Sequence, residues 1–315
     1  MHAIVVSAQG GPEVLEYAER PDPVPGDGEL VVDVAASGVN FIDIYHRSGA
    51  YPLPLPAVIG SEGAGVVSAV GPGVSGVAVG DTVAWANVLG SYADKAVVPA
   101  DRAVPVPGGV PADLAAAAML QGMTAHYLTH STHEVREGDK VLVHAGAGGM
   151  GQLLIQLAKL RGATVYATVS TDEKEKLARA AGADEVLRYD TFADALSGTV
   201  DVVYDGVGAA TFDGGLRALR PRGLMALYGA ASGPVPPLDP QVLNRSGSLF
   251  LTRPTLVHYV AERDELLWRA SDLFGWLTSG QLRIEVSHRY PLREARRAHE
   301  DLAGRRTTGK LLLVP

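Results

Sequence analysis

The stretch Lys140–Gly151, KVLVHAGAGGMG, decides how this chain is read. A short apolar run, Val141–His144, enters Gly146-x-Gly148-x-x-Gly151, and the apolar helical run Leu153–Leu160 follows at once. A glycine pattern set between a strand and a helix is the fingerprint of a dinucleotide site. Gly146 permits the tight turn, Gly148 lets backbone approach a pyrophosphate, and Gly151 lets helix and strand pack closely. The helix start then presents free N–H groups and partial positive charge to the phosphates.

The second strand, Ala163–Val169 (ATVYATV), bears on which dinucleotide is bound. A site for NAD carries Asp or Glu about 20 residues past the first glycine, where it accepts from the ribose 2′-OH. Val169 and Ser170 stand there instead. Ser170 can donate a hydrogen bond, and Lys174 adds positive charge one helical turn on. That pair suits the 2′-phosphate of NADP(H). The competing reading makes Lys174 a solvated residue of the DEKEK helix start. Asp172, Glu173 and Glu175 fit a first helical turn, where the dipole favours acids.

Composition narrows the class. The chain has 315 residues and 47% hydrophobic content, enough for about two domains with cores of their own. A net charge of −8 gives no electrostatic case for nucleic acid or anionic lipid. There is no cysteine, which excludes a disulfide framework and a thiolate zinc site. No apolar run is long enough to span a bilayer. The start, MHAIVVSAQG, reads as a first strand rather than a signal peptide, so a cytoplasmic location is expected.

Three regions follow from the pattern. Residues 1 to about 110 are β-rich: Val31–Val34, Gly65–Val70, Asp81–Ala86 and Ala96–Val98 read as strands between Pro/Gly clusters such as PDPVPGDG and GPGVSG. The Ala-rich, Pro-free stretch Pro111–Thr129 reads as one or two helices. From Lys140 strands and helices alternate: Thr164–Val169, helix Asp172–Ala181, Glu185–Arg188, Val200–Asp205, helix Thr211–Leu219, Gly223–Tyr228 and Ser248–Thr252. Six strands with intervening helices predict a doubly wound α/β fold with a parallel sheet. Pro254 suits the first turn of a long helix ending near Gly280. Ile284–Tyr290 reads as a strand, Leu292–Ala303 as a helix and Lys310–Val314 as a final strand that returns to the N-terminal body. The expected division is 1–120 with 260–315, and 121–259.

Several segments carry a family resemblance: GVNFIDIYHRSGAY (Gly38–Tyr51), GSEGAGVVSAV (Gly60–Val70), GDTV (Gly80–Val83), GMTAHYL (Gly122–Leu128), HAGAGGMG (His144–Gly151), YDGVG (Tyr204–Gly208), LTRP (Leu251–Pro254) and RRAHE (Arg296–Glu300). Over essentially its whole length the chain resembles the zeta-crystallin-type quinone oxidoreductases, zinc-independent members of the medium-chain dehydrogenase/reductases. The resemblance implies a Rossmann nucleotide domain, a discontinuous GroES-like β-rich catalytic domain, NADPH as cofactor and a homodimer formed through an edge strand, here Ser248–Thr252. In the related zinc alcohol dehydrogenases a Cys ligand holds the position of Asn40 and a His ligand that of Ser61. Glu62 alone cannot hold Zn²⁺, because catalytic sites use about three protein ligands. Bare hydride delivery suits acceptors that are already electron-poor, such as quinones and conjugated enones or enals.

The resemblance also carries residues. Asn40, Phe41, Asp43 and Tyr45 are implied at the nicotinamide end, with Asn40 donating its amide to cofactor or acceptor. Tyr51 is the expected substrate-side proton donor, against the alternative that it packs on the prolines of YPLPLP. Asp43 is expected to orient Arg47 by an ion pair if the segment is helical. Gly148, Gly149 and Met150 are implied at the pyrophosphate, and Ser170, Lys174 and Tyr189 at the 2′-phosphate. Tyr127, Gly206, Val207, Gly229, Ala230, Ala231, the backbone of Phe250, Leu251 and Thr252, and Lys310 are further cofactor contacts. His126, His130 and His133 fall near helical spacing but show no third ligand for a metal. Two other functions stay open: an NADPH-dependent 2-alkenal or enone reductase, and a non-catalytic NADPH-binding structural or sensor protein.

Overall fold

The computed structural model describes every residue, Met1–Pro315. The chain forms two compact units, Met1–Met123 with Val260–Pro315, and Thr124–Tyr259. No helix is long and apolar enough to cross a membrane.

The first unit is built on the strand Glu29–Val39, whose apolar residues are almost all buried. Glu62–Val70 pairs along one edge. The other edge is shared: Lys95–Pro99 pairs with Glu29–Asp33, and Lys310–Val314 with Ser37–Val39. The register Leu311↔Val39 brings Lys310 beside Asn40, across 270 residues of chain. Thr82–Ala86, Val104–Pro105 and Val286–Pro291 complete a seven-stranded sheet. One core gathers Leu30, Val32, Val67, Val83 and Trp85. Another joins Ile4 and Val6 to Tyr290, Ala298, Leu311 and Leu313, so both ends of the sequence share one apolar interior.

The second unit is a six-stranded parallel sheet in the order Glu185–Arg188, Thr164–Val169, Lys140–Val143, Val200–Asp205, Leu219–Leu227, Phe250–Thr252. This is the doubly wound order, and it reverses between Lys140–Val143 and Val200–Asp205, the switch point where such folds bind ligands. Strand Val200–Asp205 is buried on nearly every residue, as expected for a parallel strand covered on both faces.

Some elements differ from the sequence expectation. The long helix from Pro254 to Gly280 is two helices, Leu256–Tyr259 and Arg263–Ser279, and Pro254 lies outside both. Glu262 between them is extended, and the chain passes from one unit to the other at Tyr259/Val260. Asp264 and Glu265 mark the new start, where the helix dipole favours acids. Leu292–Glu294 is a 3₁₀ turn that precedes the α-helix Ala295–Ala303. The Ala-rich stretch is one helix, Ala112–Tyr127, extended by a π turn at Leu128–Thr132.

Candidate active site

The glycine loop has the geometry its sequence requires. A side chain at Gly151 would strike the Ala145 carbonyl oxygen at 2.2 Å, and one at Gly146 would strike Ala167 at 2.8 Å. Gly148 caps the helix Gly149–Leu160 with no side-chain acceptor, so the first N–H groups, at Gly149, Met150 and Gly151, have no intrahelical carbonyl to meet. Such a helix start holds phosphate. His144 lies buried beneath the loop, with Nδ1 2.8 Å from Thr168 Oγ1. Burial lowers its pKa from 6.5 to about 4, so it is neutral.

The next two loops lock together at the carboxyl ends of their strands. Asp205 accepts from the N–H groups of Val207 and Gly208 and from Thr211 Oγ1. The Gly229 N–H donates to the Asp205 carbonyl, and the Ala231 N–H to the Gly206 carbonyl. A side chain at Gly229 would meet the Gly206 carbonyl at 2.5 Å. Gly206, Val207, Gly229, Ala230 and Ala231 are thus brought together, but the N–H groups of Val207, Gly229 and Ala231 are spent within the ridge.

Ser170 follows the strand Thr164–Val169, and Thr171 caps the helix Asp172–Ala180 by accepting from the Lys174 N–H. Tyr189 is 37% exposed, with its ring 6.3 Å from that of His144. Tyr127 is buried and stacks on Tyr259 at 4.2 Å. His126 and His130 stack on each other at 4.3 Å, while His133 turns to Asp139. Phe250–Thr252 is the edge strand of its sheet.

In the first unit, strand Glu29–Val39 delivers Asn40 as the cap of helix Phe41–Ser48. Asn40 Oδ1 accepts from Lys310 Nζ at 2.9 Å and Gln121 Nε2 at 3.1 Å. Asn40 Nδ2 donates to Glu62 Oε1 at 2.6 Å. Glu62 forms a buried ion pair with Lys310, and its second oxygen takes the Leu120 N–H at 2.6 Å, within the helix that carries Gln121. Gly38 makes room: a side chain there would fall 1.9 Å from Glu62 Oε1. Asn40 was expected to donate outward and Lys310 to reach a cofactor; in this structure both groups turn inward. Both polar groups are buried, and they bond each other and Glu62. Gln121, half-buried, is the outermost amide of the set, and the sequence reading missed it.

Asp43 is likewise turned inward. Its carboxyl accepts from Ser61 Oγ at 2.7 Å, Tyr92 Oη at 3.0 Å and the Asn40 N–H at 2.9 Å. Burial pushes its pKa from 3.8 up to about 6, against these hydrogen bonds, which pull it down. Tyr92 Oη in turn lies 3.2 Å from His299 Nε2, and burial lowers the pKa of that imidazole to about 3. The segment is helical, yet the expected Asp43–Arg47 pair does not form, because Asp43 serves the cap. Arg47 Nε and Nη1 are buried without hydrogen-bond partners. On the outer side of the helix Phe41, Tyr45, His46 and Tyr51 form an aromatic cluster, with Tyr45 and Tyr51 centroids 5.2 Å apart. Tyr51 is 38% exposed.

Comparison with known proteins agrees with both halves of this description. Residues 26–108 match the alcohol dehydrogenase GroES-like domain and residues 149–265 the zinc-binding dehydrogenase domain. The chain is 45% identical to a quinone oxidoreductase of Pseudomonas aeruginosa, covering 99% of each. It is 42% identical to a 2-haloacrylate reductase of a Burkholderia species, over 99% of this chain and 98% of the other. A mycobacterial protein solved in complex with NADPH matches with a TM-score of 0.97 at 50% identity, each chain fully covered.

The second domain name raises the question of zinc, and the donor set does not fit it. Asn40 and Ser61 offer neither thiolate nor imidazole, and Glu62 is already bound to an ammonium group. A catalytic zinc ion needs about three such ligands.

Proposed function

The chain belongs to the quinone oxidoreductases of the medium-chain dehydrogenase/reductase family, and from that premise we propose how it works as an NADPH-dependent quinone reductase. The observation that carries the reading is the open glycine loop at the helix start Gly149–Gly151, in a chain matched end to end by a protein complexed with NADPH. When bound, NADPH supplies the reducing equivalents, which pass from the nicotinamide to an electron-poor acceptor. Gly148, Gly149 and Met150 hold the pyrophosphate, and Ser170, Lys174 and Tyr189 bind the 2′-phosphate. Gly206, Val207 and Gly229–Ala231 border the cofactor as a rigid ridge.

In the first unit, Tyr45 and Tyr51 give an aromatic surface for a planar acceptor. Tyr51 donates the proton that the reduced oxygen takes up. Asn40 acts as a positioning residue, fixed by Glu62 and Lys310 and holding Gln121. A hydrogen-bonded cluster of this kind keeps its geometry when charge develops nearby.

The test is NADPH oxidation with a planar ortho-quinone, compared with NADH. Fast turnover that prefers NADPH supports the reading. Binding of NADPH without reduction of any quinone overturns it and leaves a sensor role. Tyr51→Phe is expected to lower kcat by roughly 10²-fold, the scale of lost general-acid help, with the Kd for NADPH unchanged. An unchanged kcat removes Tyr51 from the chemistry.

A second reading is reduction of conjugated enals or haloacrylates, favoured by the 42% identity to the 2-haloacrylate reductase. The ratio of kcat/KM for a quinone and an enal decides between them. The proposal also includes a cytoplasmic homodimer that pairs through the edge strand Phe250–Thr252. Phe250 there is 63% exposed and Leu251 36%. Light scattering of wild type against Leu251→Asp tests the pairing, and an unchanged mass would remove this edge from it.

A further inference from the structure

Arg188 was not among the residues expected at the cofactor, yet it stands at a decisive place. It ends the strand Glu185–Arg188, in register with Val169, the residue before Ser170. Paired strands lie about 4.8 Å apart, so Arg188 borders the proposed 2′-phosphate position. Its Nη2 forms ion pairs with Asp172 Oδ1 and with Glu175 Oε2, the latter at 3.0 Å. Its Nη1 is buried without a hydrogen-bond partner. Both acids lie in the first turn of the helix that starts just past Ser170, and Glu173 adds a third. Glu175 is also held by Arg179 at 2.8 Å. The Asp172 carboxylate is 87% exposed.

These charges conflict with the cofactor. A 2′-phosphate carries close to two negative charges near neutral pH, and carboxylates beside it repel it. Lys174 and Lys176 share the helix with these acids, and Arg179 holds Glu175, but only Arg188 is paired with Asp172. We propose that Arg188 sets the preference for NADPH over NADH by neutralising Asp172 and Glu175, whose carboxylates would otherwise oppose the 2′-phosphate. The inference rests on the cofactor reading above and adds a residue to it. Its chemistry has a second consequence. An Asp172 released from Arg188 becomes an acid just past the end of the second strand, able to accept from the 2′-OH of NADH as acids there commonly do. Loss of Arg188 therefore moves the two affinities apart.

The experiment measures Kd for NADPH and for NADH, by calorimetry, in three proteins: wild type, Arg188→Leu, and Arg188→Leu combined with Asp172→Asn and Glu175→Gln. Wild type is expected to prefer NADPH. Arg188→Leu should weaken NADPH about tenfold, the effect of one unit of like-charge interaction, and leave NADH equal or tighter. The triple variant should restore NADPH binding, because the repelling charges have gone with the shield. Equal weakening of both cofactors overturns the proposal, since it would make Arg188 only a structural clamp. An unchanged selectivity in Arg188→Leu also overturns it. Failure of the triple variant to recover NADPH would make Arg188 a direct phosphate ligand and sink the shielding argument. A wild type that binds both cofactors equally would refute the 2′-phosphate assignment itself, and this inference with it.

Discussion

Asn40 turns its amide inward: Nδ2 donates to Glu62 Oε1 and the Gly38 carbonyl, and Oδ1 accepts from a lysine near the far end of the sequence. Lys310 and Glu62 are both buried, so each depends on the other to cancel its charge. Removing one partner of such a pair typically costs 3–5 kcal/mol, about the cost of an orphaned buried charge. Lys310→Met should therefore lower unfolding stability by roughly that amount in urea titrations, and adding Glu62→Gln should recover much of it. Additive losses would show that the pair is not coupled. Gly38→Ala is a sharper probe, because its methyl group falls on Glu62 Oε1. It should lose activity and stability together, by more than the ~1 kcal/mol typical of a point substitution. A wild-type melting curve would count against that packing. Asn40 was visible in the sequence as part of GVNFID. Its partners were not, since register across 270 residues is a tertiary fact and Gln121 hides in an Ala-rich helix.

The helix Phe41–Ser48 starts on Asn40 and is tied down by Asp43, which reaches back to the Asn40 N–H. Asp43 titrates in the folded protein at about 6, above its ordinary 3.8. Between those values the folded state binds the proton and the unfolded state does not. Asp43 thus adds stability that is fully present below 3.8 and is lost as pH rises through about 6. Asp43→Asn should remove that component from a plot of unfolding free energy against pH. It should also lower stability overall, because an amide nitrogen would face the donors of Ser61 or Tyr92. An unaltered plot would show that Asp43 titrates normally. The strands and helices after Lys140 were legible because period and glycine spacing are local signals. The break at Val260–Glu262 was not read, although Asp264 and Glu265 mark the new helix start.

His144 in one unit and His299 in the other are both buried and neutral, with pKa values lowered to about 4 and about 3. Their sign is opposite to that of Asp43. The unfolded chain binds protons at these histidines as pH falls below 6.5, while the folded chain does not. Their contribution is complete above 6.5 and is lost as pH drops toward 4 and 3. Two histidines outweigh one aspartate, so the melting temperature should fall from neutral pH to about pH 5, and His299→Gln should flatten the fall. A melting temperature that rises with acid would show that Asp43 dominates. The change of pattern near Pro111 and Lys140 is what suggested a division of the chain in the sequence. The return of Lys310–Val314 to the N-terminal body was expected from the pattern of the last part of the chain, but its register against Ser37–Val39 has no local signal.

That return strand has a consequence for how the protein is made. Residues 124–259 form an uninterrupted unit that is complete before the last segment of the other unit is synthesised, so the nucleotide half can fold without waiting for the C-terminus. The other unit must hold the Ser37–Val39 end of its central strand unpaired on that edge until Lys310–Val314 arrives. Closing so long a loop is slow, and the waiting edge is open to wrong pairing. Synthesis therefore imposes an order of assembly: the cofactor's cradle first, and the fixed Asn40 amide only with the arrival of Lys310.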